Sequence, residues 1–158
     1  MATLHDALID VTVGIKQALD TSIDVDQHPG RFTEAELGTL VLKKRAVRVA
    51  IEAVPQVSIN GPGTIQAQLL MSAFVICGDS AVAPRHQAAL NIVHQLLGHI
   101  PHQRWGTQYL RPALPASLTV DNLYNGEIDR KGIAQPQVQL INRIADKWVK
   151  EVLDGNPA

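Results

Sequence analysis

Leu4, Leu8, Val11, Ile15 and Leu19 recur at spacings of three and four, the period of a helix with one buried stripe. This predicts a helix over about residues 3–20. Thr3 with Asp6 adds a capping arrangement, in which side-chain oxygens meet the free N–H groups of the first turn. Gly14 in the interior weakens the helix slightly. Residues 21–32 break the period: Asp24, Asp26, His28, Pro29 and Gly30 form a polar stretch with a breaker pair, read as a loop. Thr33-Glu34-Ala35-Glu36 repeats the capping signal and predicts a short helix to about Leu42.

From Ala46 the period falls to two. Val47, Val49, Ile51 and Ala53 alternate with Arg48, Ala50 and Glu52, the pattern of a half-buried strand that Pro55 is expected to end. Asn60-Gly61-Pro62-Gly63 is the densest turn signal in the chain, and a long strand is expected from Ile65 to Cys77. Its second part is apolar at every position, as a central strand covered on both faces would be. Residues 46–77 therefore read as an antiparallel pair with a long connection. Pro84 opens the clearest helix, with Ala89, Ile92, Val93, Leu96, Leu97 and Ile100 on its apolar side and Pro101 as its stop.

Residues 101–118 carry Pro101, Pro112 and Pro115 and read as a long ordered connection. Strands are expected over Ser117 to Tyr124 and Gly132 to Ile141, with Pro136 placing the second at an edge or a bulge. Ile144, Trp148 and Val152 at spacing four suggest a final helix. The order is helix, short helix, two strands, helix, two strands, helix. It predicts an α+β fold: one domain with a small, mainly antiparallel sheet and helices packed on it.

A chain of 158 residues is long enough to bury a core without metals or disulfides. Fourteen basic against fifteen acidic residues leave a net charge of −1, so no basic footprint for sequence-specific nucleic-acid binding is expected. The single cysteine, Cys77, ends the apolar run Ala73-Phe74-Val75-Ile76 and reads as a buried thiol in a reducing compartment. No basic segment leads into a long apolar one, and the apolar runs fall short of the ~20 residues that span a bilayer. A soluble cytoplasmic protein without a membrane partner is the expectation.

The search for catalytic equipment gives little. Gly61-Pro62-Gly63 is followed by a strand and by no Lys-Ser or Lys-Thr, so it is a turn and not a phosphate cradle. His94, His99 and His102 cluster at the end of a helix, but His94 and His99, five apart, fall on different sides of it, and His102 lies beyond Pro101. Surface histidines near a helix C-terminus explain them as well. No Gly-x-Ser-x-Gly occurs. The pairs Glu34/Glu36 and Asp24/Asp26 sit in capping or loop positions with no reason for shifted pKa values. No catalytic residue, cofactor or metal is expected.

Interaction residues stand out more. Aromatics make up only 4% of the chain, yet Trp105 and Tyr109 lie with Arg104 and Arg111 in the Pro-rich connection. Trp, Tyr and Arg are enriched as interface anchors, although an indole that packs the loop onto the core gives the same pattern.

Four segments, in order, resemble the tail-terminator family of Mu-like phages and prophages. They are Arg45-Ala46-Val47-Arg48-Val49-Ala50; Ala73-Phe74-Val75-Ile76 with the Arg85-to-Ile100 helix of form Arg-x-x-x-Ala-Leu-x-Ile-Val-x-x-Leu; Arg104-Trp105-Gly106; and the run from Asn122-Leu123-Tyr124-Asn125-Gly126-Glu127 to Ile128-Asp129-Arg130-Lys131-Gly132-Ile133-Ala134. Together they spread over most of residues 30–135. The chain departs from the family at Gln135-Pro136-Gln137-Val138, where a Trp-containing strand would be expected.

The resemblance implies a non-enzymatic virion protein that forms a homo-oligomeric ring, of six subunits, at the head-proximal end of the tail tube. Such a ring stops polymerisation of the tube protein and offers a docking face to the head-tail connector or another neck protein. Another neck component, a head-closure or adaptor protein, fits the same composition, and a small metal-dependent hydrolase using the three histidines is the rival of a different class. A ring needs a heterologous contact whose rotation closes. Segments 24–32, 55–63 and 105–111 are the expected contact regions, with Arg31, Phe32, Arg104, Trp105, Tyr109, Arg111, Tyr124, Asp129 and Lys131 as subunit or tube interface candidates.

Overall fold

The computed structural model describes residues 3–42, 45–59, 65–78, 84–107, 109–113, 115–122, 133–134 and 136–143. Helix α1 spans Leu4–Ala18. Its start is fixed by a reciprocal pair: Thr3 Oγ1 accepts from the Asp6 N–H at 3.1 Å, and Asp6 Oδ2 accepts from the Thr3 N–H at 2.8 Å. That backbone bond, and the Thr3 hydroxyl after it, hold the Asp6 carboxyl below its ordinary pKa. Ala7, Val11 and Ile15 make the buried stripe.

The loop expected at 21–32 contains a strand, β1 (Asp24–Gln27), which pairs parallel to β2 (Arg45–Ile59). Parallel neighbours need a crossover between them, and helix α2 (Glu34–Leu42) supplies it. The polar composition of β1 hid it, because only Val25 of its four residues is buried. As an edge strand it has no strand on its outer side among the described residues.

Strand β2 pairs antiparallel with β3 (Ile65–Gly78), as the alternation predicts. Pro55 does not end β2. The ladder continues to Ile59↔Ile65 through register shifts between Ile51 and Ala53 and between Ala53 and Gln56. A proline is accommodated where a strand is an edge or bulges, and past β1 this stretch is both. Of the connection expected at 55–63, residues 55–59 belong to β2, and residues 60–64 lie outside the described residues.

Helix α3 (Arg85–His99) follows, with Pro84 at its N-cap position. After a short 3-10 turn at Pro115–Ser117 come β4 (Thr119–Asn122), β5 (Ile133–Ala134) and β6 (Pro136–Arg143). The sheet order is β1-β2-β3-β6-β4, with β5 beside the end of β3. Every pair except β1–β2 is antiparallel. Of the edge position or bulge expected for the Pro136 strand, the edge position is corrected: β6 lies between β3 and β4, and β4 is the outer strand among the described residues. Pro136 stands at its first residue, where a missing N–H costs the ladder nothing. The helix expected after Ile144 lies outside the described residues.

The fold is α+β, with a sheet covered unequally. On one face α1 and α3 bury Val47, Val49, Leu69, Met71, Ala73, Val75 and Cys77 in the main core. On the other, α2 covers a smaller cluster of Leu40, Ala46 and Ile76, with Phe32 and Leu37 against it. The apolar run of β3 is thus a strand with both faces covered, as expected.

Cys77 is fully buried, and burial raises its thiol pKa to about 11 against the partial opposition of Arg45. The folded state thus prefers the neutral thiol, while the unfolded chain ionises near 9.0. This contribution to stability is full below pH 9 and is lost as pH rises to about 11. Each pKa unit is worth about 1.4 kcal/mol, so denaturant titrations should show a fall of about 2–3 kcal/mol over that window from this group. The Cys77→Ala protein should show a shallower alkaline decline. Equal slopes for the two proteins would contradict the assignment.

Candidate functional site

Three places bring polar and apolar groups together outside the core. The first is a hollow lined by His28, Pro29, Ala35, Glu36, Thr39, Leu40 and Arg48. His28 Nδ1 accepts the Gly30 N–H at 2.9 Å, which leaves Nε2 to donate to Glu36 Oε2 at 2.8 Å. With both nitrogens hydrogen-bonded, neither is left open to a further partner. The bond from His28 is the main cause holding the Glu36 carboxyl below its ordinary pKa. The His28 ring stacks on Phe32 at 4.0 Å, and Phe32 meets Phe74 edge-on at 5.0 Å.

Arg48, 8% exposed, donates Nη1–H to the Asp24 and Val47 carbonyls and Nη2–H to Asp24 Oδ2 at 2.5 Å. Planar guanidinium donors suit this fork-like capture of a turning backbone. The hollow therefore ties β1, the 28–33 turn and α2 to the sheet, and its polar groups are spent on that task.

The second place is a cleft of about 360 Å³ between α1 and the 101–107 turn. Asp10, Val13, Gly14 and Gln17 line it from the helix, and His99, Gln103, Trp105 and Gly106 from the other side. Gly14 is required here: a Cβ at this position would stand 2.5 Å from Trp105 Cε3. The close approach of helix and indole thus explains the helix-interior glycine. Tyr109 donates its hydroxyl to Asp10 Oδ2, which pins the following segment to the same helix. Within the turn, the Thr107 N–H donates to the Arg104 carbonyl at 3.0 Å, and the Leu110 N–H to Thr107 Oγ1 at 3.4 Å.

This turn is costly to hold. His102 (φ 75°) and Trp105 (φ 57°) are non-glycine residues in the left-handed region, each at a cost of order 1–3 kcal/mol. Trp105 Nε1 and His99 Nε2 are both enclosed and without a hydrogen-bond partner among the described residues, a further ~1–3 kcal/mol apiece. The two rings meet edge-on at 5.8 Å.

The third place is the distal half of β2. Past Val49, whose carbonyl accepts the His28 N–H at 2.8 Å, its outer side carries no strand among the described residues. Residues 53–57 are exposed, with Val54 at 36% and Val57 at 55%.

The expected interface residues divide among these places. Arg31, Arg104 and Arg111 are exposed, and Phe32 is half-buried in the smaller cluster. Trp105 and Tyr109 belong to the main core, so within one chain they pack the connection onto the sheet's helical layer. Tyr124, Asp129 and Lys131 lie outside the described residues. His94 and His102 are exposed and His99 is half-buried. Among the described residues no three His, Cys, Asp or Glu side chains come together to hold a metal ion, and no helix is long and apolar enough to cross a membrane. Sequence reasoning missed Asp10, Gln17 and Gln103 as residues that line the cleft beside Trp105; the one signal available was Gly14 inside an otherwise regular helix.

No protein-family model matches the chain, and no curated protein matches it at a significant level.

Proposed function

We infer that this protein is a phage tail terminator, a non-enzymatic ring subunit that caps the head-proximal end of the tail tube and presents a docking face to the head-tail connector or another neck protein. The reading rests on the order of the four resembling segments, and one structural observation supports treating the first three as a unit; of the fourth, only Asn122, Ile133 and Ala134 are among the described residues. The segment at 45–50 and the one at 73–76 are neighbours in the sheet, paired as Ala46↔Ile76, Val47↔Val75, Arg48↔Phe74 and Val49↔Ala73. Helix α3 and Trp105 pack into the same core. Segments far apart in sequence thus form one contiguous body. Function by binding also accords with the His28–Glu36–Arg48 hollow, where the polar groups hold the fold together.

Tail length in a producing strain that lacks this protein tests the reading. Overlong, headless tails of scattered length are expected by electron microscopy. Tails of normal length that fail to join heads would instead make it a head-closure or adaptor protein.

A further inference from the structure

His28 directly follows β1, and its own N–H donates to the Val49 carbonyl at 2.8 Å, which fixes its backbone against β2. Its imidazole is held at two further points, Nε2 to Glu36 Oε2 at 2.8 Å and Nδ1 to the Gly30 N–H at 2.9 Å. These two contacts respond oppositely to a proton. A protonated imidazole donates from both nitrogens. Nε2–H then keeps its carboxylate as an ion pair, whereas Nδ1–H meets another N–H and that bond is lost. Among the described residues, the charged groups around the imidazole are Glu36 from α2 and Arg48 from β2, the latter engaged by Asp24 of β1. Asp26 and Arg31 flank it in sequence and are exposed, and β3 contributes the uncharged Phe74 behind Phe32.

We propose that His28 is a proton-operated latch on residues 29–31: the neutral imidazole holds the turn through the Gly30 N–H, and the protonated imidazole releases it while β1 and α2 stay in place. Histidine is the side chain that changes charge within about pH 5–8, and His28 lines an open hollow, so a proton reaches it. Gly30 stands at φ 100°, backbone that favours glycine, and its N–H is fixed by the imidazole. The stack of His28 on Phe32 at 4.0 Å survives, because a cation over a phenyl face is attracted to it. The change is therefore confined to the Pro29–Gly30 turn and to the exposed cation beside it, Arg31. The latch stands on hydrogen bonds within one chain and does not depend on the tail-terminator reading.

Nuclear magnetic resonance of the full, isotope-labelled chain tests this across about pH 5–8. The Gly30 amide signal is expected to move with the same midpoint as the His28 Cε1–H. Its exchange protection, taken relative to the intrinsic rate at each pH, should fall roughly fivefold below that midpoint. The His28 amide, bonded to Val49, should keep its protection throughout. Glu36→Gln removes the carboxylate charge that favours the proton, so both midpoints should move to lower pH together. His28→Phe keeps a ring against Phe32, and its Gly30 amide should show the low protection at every pH, with no step. The latch is overturned by a Gly30 amide that does not follow the His28 midpoint, or by a His28 that stays neutral throughout the range. It is equally overturned by midpoints that part or stand still in Glu36→Gln, or by a Gly30 step that persists in His28→Phe.

Discussion

Trp105→Ala is expected to lower the unfolding free energy by about 3–5 kcal/mol, the range for deleting a buried aromatic. The indole is 6% exposed, belongs to the main core and fills the space over Gly14. Removing it leaves a cavity beside a helix that has no side chain to fill it. Trp105→Phe should cost much less than this, because most apolar contact survives and the lost N–H has no partner among the described residues. Chemical denaturation of the three proteins measures both differences. Equal losses for Phe and Ala would mean that the Nε1–H, and not the apolar contact of the ring, is what the folded chain needs from Trp105.

The features that sequence revealed and those it concealed differ in physical kind. Helices α1 and α3 were legible because their stripes are long and periodic, and their starts carry local chemistry in Thr3–Asp6 and Pro84. The β2–β3 pair was legible from alternation followed by an apolar run. Strand β1 was not, because a four-residue edge strand needs one buried side chain, and its identity as a strand comes from its neighbour β2. Pro55 misled for a related reason: its effect depends on whether a partner needs its N–H, a fact about the sheet and not about the dipeptide. The same holds for the Pro136 strand, which occupies an interior position because the proline falls at its end.

The candidate site was legible only in part. Trp105 and Arg104 drew attention by residue type, yet the groups that give the cleft its chemistry come from α1, about 90 positions earlier. Asp10 and Gln17 look like ordinary polar positions on an amphipathic helix. Only packing shows that the stripe is interrupted by Gly14 so that an indole can lie against the backbone. Left-handed backbone at 102 and 105 could not be read, since histidine is enriched there without being a specific signal and tryptophan gives none. Backbone held against local preference is imposed by tertiary contacts.

The second large effect separates two adjacent leucines. Leu69→Ala is expected to cost about 2–5 kcal/mol, whereas Leu70→Ala should cost clearly less, within about 1.5 kcal/mol. Successive strand residues point to opposite faces. Leu69 is fully buried in the core beneath α1 and α3, whereas Leu70 is half-buried on the face where α2 covers only the cluster near Ala46 and Ile76. The first substitution opens a cavity among neighbours that cannot close it; the second trims a side chain already partly in water. Urea titrations of the two variants, with unchanged slope, measure the difference directly. Similar costs for both would mean that the second face of β3 is as well covered as the first.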